Sequence, residues 1–254
     1  MSAGVRYVLA NWKMHKGQAE AAAWARQVAG AVAPSPHRAA VVFPPFTALA
    51  AVAPLCGDAL SLGAQDVYPQ PAGAVTGAVG TDQLRDLGVA YVLCGHSERR
   101  LLLGEDDAAV ARKVQAVLDA GMTPVVCVGE NAEEREHGRA DAVVRRQVAG
   151  AIEGVGADRL SRIIWAYEPV WAIGSGHPAT PAQASEAADI LRHALRSRLG
   201  AGLDPAAVSV LYGGSVAAES VAEFARAPGV DGALVGGASL DAQTFLALVA
   251  AVDG

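Results

Sequence analysis

The sequence predicts an α/β fold of the closed (β/α)8 barrel type, and three observations carry this prediction. Eight short apolar runs typical of strands alternate with segments of helical composition. These runs are nearly continuous in hydrophobicity, which indicates parallel strands that are buried on both faces. The chain has 254 residues, about the length that barrels of eight such units commonly have. A doubly wound open sheet is the alternative, because the number of strands does not exclude it.

The eight predicted strands follow one another along the whole chain. Given by sequence and first residue, they are VRYVLA (5), AAVVF (39), ALSLGA (59), VAYVLCG (89), TPVVCVG (123), RIIWAYE (162), VSVLYGG (208) and GALVGG (232). Helical composition is clearest over 107–120 and 181–199, and Thr180 before Pro181 is typical of a helix cap followed by the first helical position. No linker or composition break divides the chain, so we expect a single domain over residues 1–254.

Composition limits the classes of function. Lys and Arg number 20 against 26 Asp and Glu, a formal net charge of −6, and no basic run is long enough to mark a nucleic-acid face. The N-terminal segment lacks the profile of a signal peptide, and prolines interrupt the most apolar window, 39–57, which argues against a membrane span. Three cysteines without C-x-x-C spacing are typical of reduced thiols in an intracellular protein, so we expect a cytoplasmic location.

A barrel of this type carries its functional side chains where the strands end, at the carboxyl side of the sheet. The candidate groups of this sequence occupy such positions. They are Asn11 and Lys13 after the first strand, His96 after the fourth, Glu168 at the end of the sixth, Ser215 after the seventh, and Gly236 and Gly237 after the eighth.

His96 stands in CGHSERR, where the residues after it have the composition of a first helical turn. The positive end of a helix dipole favours a neutral imidazole, which would act as a proton-donating electrophile. A buried histidine satisfied by the backbone is an equally good interpretation of this residue alone. Lys13 could likewise be a solvated lysine at a strand end, although Asn11 and Trp12 beside it are unusual for a plain surface turn.

Glu168 closes a strand whose preceding residues, IIWAY, are apolar, and Pro169 removes the next N–H donor. A carboxylate at such a site loses hydration once it is covered, so its pKa should rise towards the working pH of a general base. The alternative is a glutamate at the rim that pairs with Arg162 or Arg192. The stretch that follows, VWAIGSGHP, carries Trp and Ile where a surface loop would be polar.

Three glycine-bearing turns, IGSGH, YGGSV and VGGAS, occur late in the chain. Paired glycines let successive backbone N–H groups point at one anion, and such turns after the last two strands of a barrel favour phosphate binding. Cys94, His96 and Cys127 are the one set considered for zinc. Their spacing is weak, and buried cysteines are the simpler interpretation, so we expect no metal.

Six stretches of the sequence together resemble the triosephosphate isomerase family. In order over essentially the whole chain they are NWKM (11–14), GHSERR (95–100), CVGE (127–130), AYEPVWAIGSG (166–176), YGGS (212–215) and LVGGASL (234–240). The resemblance implies a TIM barrel that interconverts dihydroxyacetone phosphate and glyceraldehyde 3-phosphate through an enediolate. It implies no metal and no organic cofactor. The family is a standard example of acid–base tuning and of lid closure.

The resemblance also implies roles for the candidate residues. Glu168 would move a proton between adjacent carbons, and neutral His96 would polarise the carbonyl and move protons between the two oxygens. Lys13 would supply positive charge to the substrate, with Asn11 hydrogen-bonding beside it. The phosphate would be held by backbone N–H groups of Gly174, Ser215, Gly236 and Gly237.

The family pattern further implies a stiff apolar flap after Glu168, which would close over the barrel mouth, exclude water and protect the enediolate. With the flap open, the Trp171 side chain would contact Glu130. With the flap closed, Tyr212 would bond to it.

Several positions depart from the family pattern. His177 and Pro178 replace a hinge of the Lys-Thr type. Ala78 stands where family members commonly have a Glu that pairs across the subunit boundary with the arginine matching Arg99. We still expect a homodimer in which Thr76 enters the partner's site, with an interface that lacks this ion pair.

Two alternatives to a triose phosphate isomerase are considered. The first is a related isomerase that acts on a tetrose phosphate, suggested by the unusual hinge and third loop. The second is a sugar-phosphate-binding protein without catalysis, which the intact set of Lys13, His96 and Glu168 disfavours.

Overall fold

The computed structural model describes residues 5–172, 179–199, 204, 207–214, 223–224 and 226–252. Strands in this part of the chain form a closed parallel barrel in which each strand pairs with the next one and the eighth pairs with the first. The strands are β1 (Arg6–Asn11), β2 (Arg38–Phe43), β3 (Ser61–Ala64), β4 (Tyr91–Cys94), β5 (Thr123–Val128), β6 (Ile164–Tyr167), β7 (Ser209–Tyr212) and β8 (Gly232–Val235). The predicted (β/α)8 barrel is therefore confirmed, and the alternative of an open sheet is wrong.

Successive side chains of each strand point alternately into the barrel and towards the helices. Both directions are apolar, which explains the continuous apolar runs in the sequence. In β5, Val125 and Cys127 belong to a cluster made by one face of the strands, whereas Val126 and Val128 belong to the cluster that the strands form with the helices. Because the first cluster fills the barrel and the second lies under the helix layer, both faces of a strand have to be apolar.

The helices lie between the strands in the chain. Their bounds are α1 (Gln18–Ala31), α2 (Leu49–Val52), α3 (Thr81–Asp86), α4 (Ser97–Leu103), α5 (Asp107–Asp119), α6 (Ala132–Glu136), α7 (Ala140–Ala151), α8 (Pro181–Leu199) and α9 (Ala242–Val252). The predicted helices over 107–120 and 181–199 are confirmed as α5 and α8. None of the helices in the described ranges combines the length and the apolar character needed to cross a membrane.

The predicted cap of α8 is confirmed. The Gln183 N–H donates to Thr180 Oγ1 at 3.2 Å, and the Thr180 N–H donates to Gln183 Oε1 at 2.8 Å, so two donors at the start of the helix are satisfied reciprocally. The chain after β8 does not enter an α-helix directly. A short 3-10 turn, Gly237–Ser239, comes first, and α9 begins only at Ala242.

Candidate active site

Glu168 and His96 face each other at the carboxyl side of the barrel. Glu168 follows β6 directly and His96 follows β4 after one glycine, and both side chains are buried. His96 Nε2 lies 3.0 Å from Glu168 Oε1, and the Ser97 N–H donates to Glu168 Oε2 at 2.8 Å. The two contacts hold both oxygens of the carboxylate.

His96 is the N-cap residue of α4. Its Nδ1 accepts a hydrogen bond from the Glu98 N–H at 3.3 Å. A nitrogen that accepts a hydrogen bond carries no proton, so the proton of the neutral ring lies on Nε2 and points at Glu168. The sequence expectation that a helix begins at this histidine is confirmed.

The contact between the two residues sets the direction of both pKa values. Burial alone would raise the pKa of Glu168, but the charge and hydrogen bond of His96, together with the Ser97 N–H, hold it below its usual value. Burial alone would lower the pKa of His96, but the Glu168 carboxylate holds it above its usual value. The predicted rise of the Glu168 pKa is therefore wrong for this conformation, because the carboxylate meets His96 and the Ser97 N–H in place of an apolar cover.

Two glycines make room for Glu168. A Cβ atom at Gly129 would lie 1.8 Å from the Glu168 carbonyl oxygen, and one at Gly213 would lie 2.9 Å from Glu168 Cγ. Gly129 follows β5 and Gly213 follows β7, and these strands flank β6 in the barrel. Glu168 thus occupies a space that a side chain at either neighbouring position would close.

Lys13 lies across the mouth, after β1, with its backbone in the left-handed region at φ 53°. Its N–H donates to Asn11 Oδ1 at 3.1 Å, and Gln65 Nε2 donates to its carbonyl oxygen at 2.8 Å. Its ammonium group pairs with Glu98 Oε1 at 2.5 Å. These contacts hold Lys13 in a conformation that its own backbone preference disfavours.

The structure brings the predicted residues of the first, fourth and eighth strands together. Asn11, Lys13 and His96 line one cavity of about 600 Å³. Gly236 lies beside Lys13, since a Cβ atom there would be 3.3 Å from Lys13 Cε. Gly237 follows Gly236 as the first residue of the 3-10 turn. The other two predicted phosphate ligands, Gly174 and Ser215, lie outside the described residues.

The segment after Glu168 begins with a 3-10 turn, Val170–Ala172, that is held on buried Glu130. Trp171 Nε1 donates to Glu130 Oε1 at 2.9 Å, so the predicted contact between these residues is confirmed. Tyr167 OH and Arg135 also donate to Glu130, at 3.0 and 2.9 Å, and the Arg135 guanidinium lies 4.5 Å from the centre of the Trp171 ring. The predicted bond from Tyr212 concerns flap residues outside the described part of the chain.

Several contacts of the site were not predicted from the sequence. They involve Ser97, Glu98, Gln65, Gly129 and Gly213. The two glycines had a usable signal, because both follow strands that neighbour the strand of Glu168. No local pattern marks Gln65, which reaches Lys13 from another loop.

Two alternatives can be compared with the structure. Glu168 is buried against His96, and Arg192 binds Asp231 at 3.1 Å, so the interpretation of Glu168 as a rim residue is wrong. Throughout the described ranges, no group of three or more His, Cys, Asp and Glu side chains is arranged to hold a metal ion. Cys94 and Cys127 are buried free thiols.

Comparison with known proteins gives a consistent result over nearly the whole chain. The family model described as triosephosphate isomerase matches residues 6–252. The triosephosphate isomerase of Chloroflexus aurantiacus is 45% identical over 243 residues, which cover 95% of this chain and 97% of the relative. The triosephosphate isomerase of Bordetella pertussis is 47% identical over 247 residues, 97% of both chains. The chain that carries this pairing of Glu168 with His96 belongs to the triosephosphate isomerase family.

Proposed function

We propose that the chain interconverts dihydroxyacetone phosphate and D-glyceraldehyde 3-phosphate as an aldose–ketose isomerase. The observation that carries the proposal is the 3.0 Å contact between buried Glu168 and His96, at a barrel mouth that also holds Lys13. A carboxylate and an imidazole are the base and the electrophile that proton transfer next to a carbonyl requires. Membership of the family supports the choice of substrate.

Glu168 acts as the base. In this conformation His96 and the Ser97 N–H occupy both of its oxygens, so the carboxylate has to leave them to reach a substrate carbon. It then takes a proton from C1 of dihydroxyacetone phosphate, and the electron pair of the broken C–H bond forms the enediolate. The carboxylic acid returns the proton to C2, which gives the aldehyde product with no net change at the enzyme.

His96 acts as the electrophile once Glu168 has moved. Its Nε2–H is then free to donate to the carbonyl oxygen of the substrate. Glu168, the carboxylate that raised its pKa most, is no longer at Nε2, and Lys13 and the Glu98 N–H at Nδ1 favour a neutral ring over the weaker influence of the Glu98 carboxylate. The neutral imidazole can give a proton to one oxygen of the enediolate and take one from the other.

The phosphate group binds on the side of Lys13. Gly236 lies next to this lysine, and in this proposal the backbone N–H groups of Gly236, Gly237, Gly174 and Ser215 hold the phosphate. Before substrate binds, Glu98 neutralises the ammonium group of Lys13, so a dianionic ligand competes with this carboxylate. The chemistry is proton transfer alone and calls for neither a metal nor an organic cofactor.

A homodimer is part of the proposal. Large apolar side chains stay exposed in the described chain, and several of them border the cavity that holds His96. They are Met14, Phe46, Leu102 and Leu103, with Leu101 next to them on α4. Exposed apolar patches of this kind are typical of protein interfaces, which supports association with a second copy whose Thr76 reaches the site.

The contacts of Arg99 within its own chain agree with an interface that lacks the ion pair across the subunits. It binds Asp66 at 2.9 Å and Glu105 at 2.8 Å within its own chain, so it does not depend on a carboxylate at position 78. We further propose that residues 1–254 act as one catalytic domain in the cytoplasm, which agrees with the free thiols of Cys56, Cys94 and Cys127.

An isomerase assay tests the function directly. D-Glyceraldehyde 3-phosphate and D-erythrose 4-phosphate are compared as substrates, and we expect kcat/KM to favour the three-carbon compound by at least about a hundredfold. Turnover of the three-carbon substrate in D2O should place deuterium on the carbon that receives the proton. A preference for the four-carbon compound, or binding of both compounds without turnover, would overturn the proposal.

A further inference from the structure

Charged side chains hold Gly95, the residue before His96, from two sides. Its N–H donates to Glu105 Oε1 at 3.0 Å, and its carbonyl oxygen accepts from Arg100 Nε at 2.8 Å. The residue has φ +72°, and a Cβ atom on it would lie 2.9 Å from an outer nitrogen of Arg100. The backbone at this point therefore lies directly against the guanidinium group, in a conformation that favours glycine.

A counter-ion fixes the Arg100 side chain in turn. Its NH1 group donates to Asp107 Oδ1 at 2.6 Å, at the start of α5, and only 14% of the side chain is exposed. Nε donates to the Gly95 carbonyl oxygen and NH1 donates to Asp107, so two hydrogen bonds fix the plane of the guanidinium group. A lysine, with one ammonium centre, cannot reproduce this geometry.

One nitrogen of Arg100 stays unsatisfied. Its NH2 atom is buried and has no hydrogen-bond partner among the described residues. The other two nitrogens of the group are paired, and Nε is the one that holds the Gly95 carbonyl oxygen. Placement of the Gly95 carbonyl is what this arrangement achieves.

We propose that Arg100 is a positioning residue for the isomerase reaction, acting through the Gly95–His96 peptide. The carbonyl oxygen that Arg100 holds belongs to the peptide group from which His96 continues, so its orientation sets the direction of the imidazole and of the Ser97 N–H that follows. Both groups meet Glu168. The proposal rests on the proposed function for its kinetic consequence, but the orientation of His96 can be measured without any substrate.

Kinetics of three variants give the first test. Arg100→Met, which keeps the apolar stem but removes the donors, should lower kcat about 10- to 100-fold with KM within about threefold, because the proton-transfer geometry is lost while the phosphate site is untouched. Arg100→Lys should recover only part of the loss. The matched control is Arg145→Met, which removes an exposed guanidinium that pairs with Asp141 at 2.7 Å on α7, and its kcat should stay within about twofold of the unmodified chain.

The ring of His96 gives the second test. In the unmodified chain, ¹⁵N NMR should show unequal Nδ1 and Nε2 signals, with the proton on Nε2 in the neutral ring. In Arg100→Met this inequality should decrease, and in the Arg145→Met control it should not. This measurement does not depend on turnover, so it separates failure of the positioning role from failure of the proposed function.

A milder variant covers the case in which Arg100→Met does not fold. Asp107→Asn leaves Arg100 in place but removes its counter-ion, and we expect a kcat loss of about three- to tenfold with a smaller change of the His96 signals. Unchanged kcat and unchanged ring signals in Arg100→Met, or in Asp107→Asn if only that variant folds, would overturn the inference. So would full recovery by Arg100→Lys.

Discussion

His96 Nε2 lies 3.0 Å from Glu168 Oε1, so the proposed electrophile and the proposed base are hydrogen-bonded to each other before substrate binds. This contact satisfies two buried polar groups in the free protein. It also means that a substrate carbonyl oxygen has to replace Glu168 at Nε2. The energy of the contact therefore opposes substrate binding and stabilises the free protein. Removal of the contact should change both the substrate affinity and the free energy of unfolding.

The pair should stabilise the fold mainly in mildly acidic solution. The lowered pKa of Glu168 contributes stability above the ordinary glutamate pKa of about 4.3, which is lost as pH falls through the folded-state value. The raised pKa of His96 contributes stability below the ordinary histidine pKa of about 6.5, which is lost as pH rises through the folded-state value. Both contributions are present near pH 5.5.

His96→Gln tests this dependence, because glutamine can donate a hydrogen bond to Glu168 but carries no charge. At fixed protein concentration, the variant should lower the free energy of unfolding by about 1–3 kcal/mol at pH 5.5 and by less at pH 9, as measured by denaturant titration. An equal loss at both pH values would show that the charge of His96 does not matter.

Glu168→Asp withdraws the carboxylate by one methylene group. The distance to the reacting carbon grows by about 1 Å, so kcat should fall by about a hundredfold or more. Inhibition by inorganic phosphate should stay within about twofold, because the phosphate site is separate. Equal turnover by the variant and the unmodified chain would mean that another group is the base.

Gly213→Ala places a methyl group 2.9 Å from Glu168 Cγ and should displace the base. We expect kcat to fall about tenfold or more, with little change in thermal stability. Gly30→Ala is the matched control, since the same methyl group meets nothing within 4 Å in α1 and should leave kcat unchanged. If the two variants are equally active, the space around Glu168 has no role in its position.

Arg135→Met tests how much the ion pair between Arg135 and buried Glu130 contributes to stability. The variant leaves a fully buried carboxylate with the neutral donors of Tyr167 and Trp171, so we expect a loss of about 1–3 kcal/mol in the free energy of unfolding. Trp171→Phe removes a single donor and should cost about 0.5–1.5 kcal/mol. Arg139→Met, which breaks an exposed pair with Glu133, is the control and should cost less than about 0.5 kcal/mol. If this control loses as much free energy of unfolding as Arg135→Met, the ion pair with Glu130 has no special contribution.

Leu102→Glu tests the proposed interface. The side chain is 77% exposed in one chain, so the charge should not disturb the monomer but should prevent association. In sedimentation, the unmodified chain should run at twice the 25.8 kDa of one chain and the variant at 25.8 kDa. Ala182→Glu adds the same charge at an exposed position in the first turn of α8 and should leave assembly intact. A monomeric unmodified chain would contradict the proposal.

Much of the fold follows from the sequence, because a strand buried on both faces requires an apolar run. The run IIWAY predicted β6, and the run PVVCV predicted β5, each to within one or two residues. The cap at Thr180 was equally visible, since the hydrogen bonds of a capping box join residues three apart. The candidate residues Asn11, Lys13, His96 and Glu168 stood out because each lies at the end of a strand or within two residues of it.

The sequence by itself thus determined the eight strands, the helices α5 and α8, and which polar groups lie at the carboxyl ends of the strands, because these properties depend on neighbours along the chain. Only the tertiary structure decided that Glu168 meets His96 and Ser97, that Gly129 and Gly213 border it, and that its pKa lies below its usual value. These properties depend on distances between residues far apart in the chain. Closure of the barrel and the direction of each side chain set those distances.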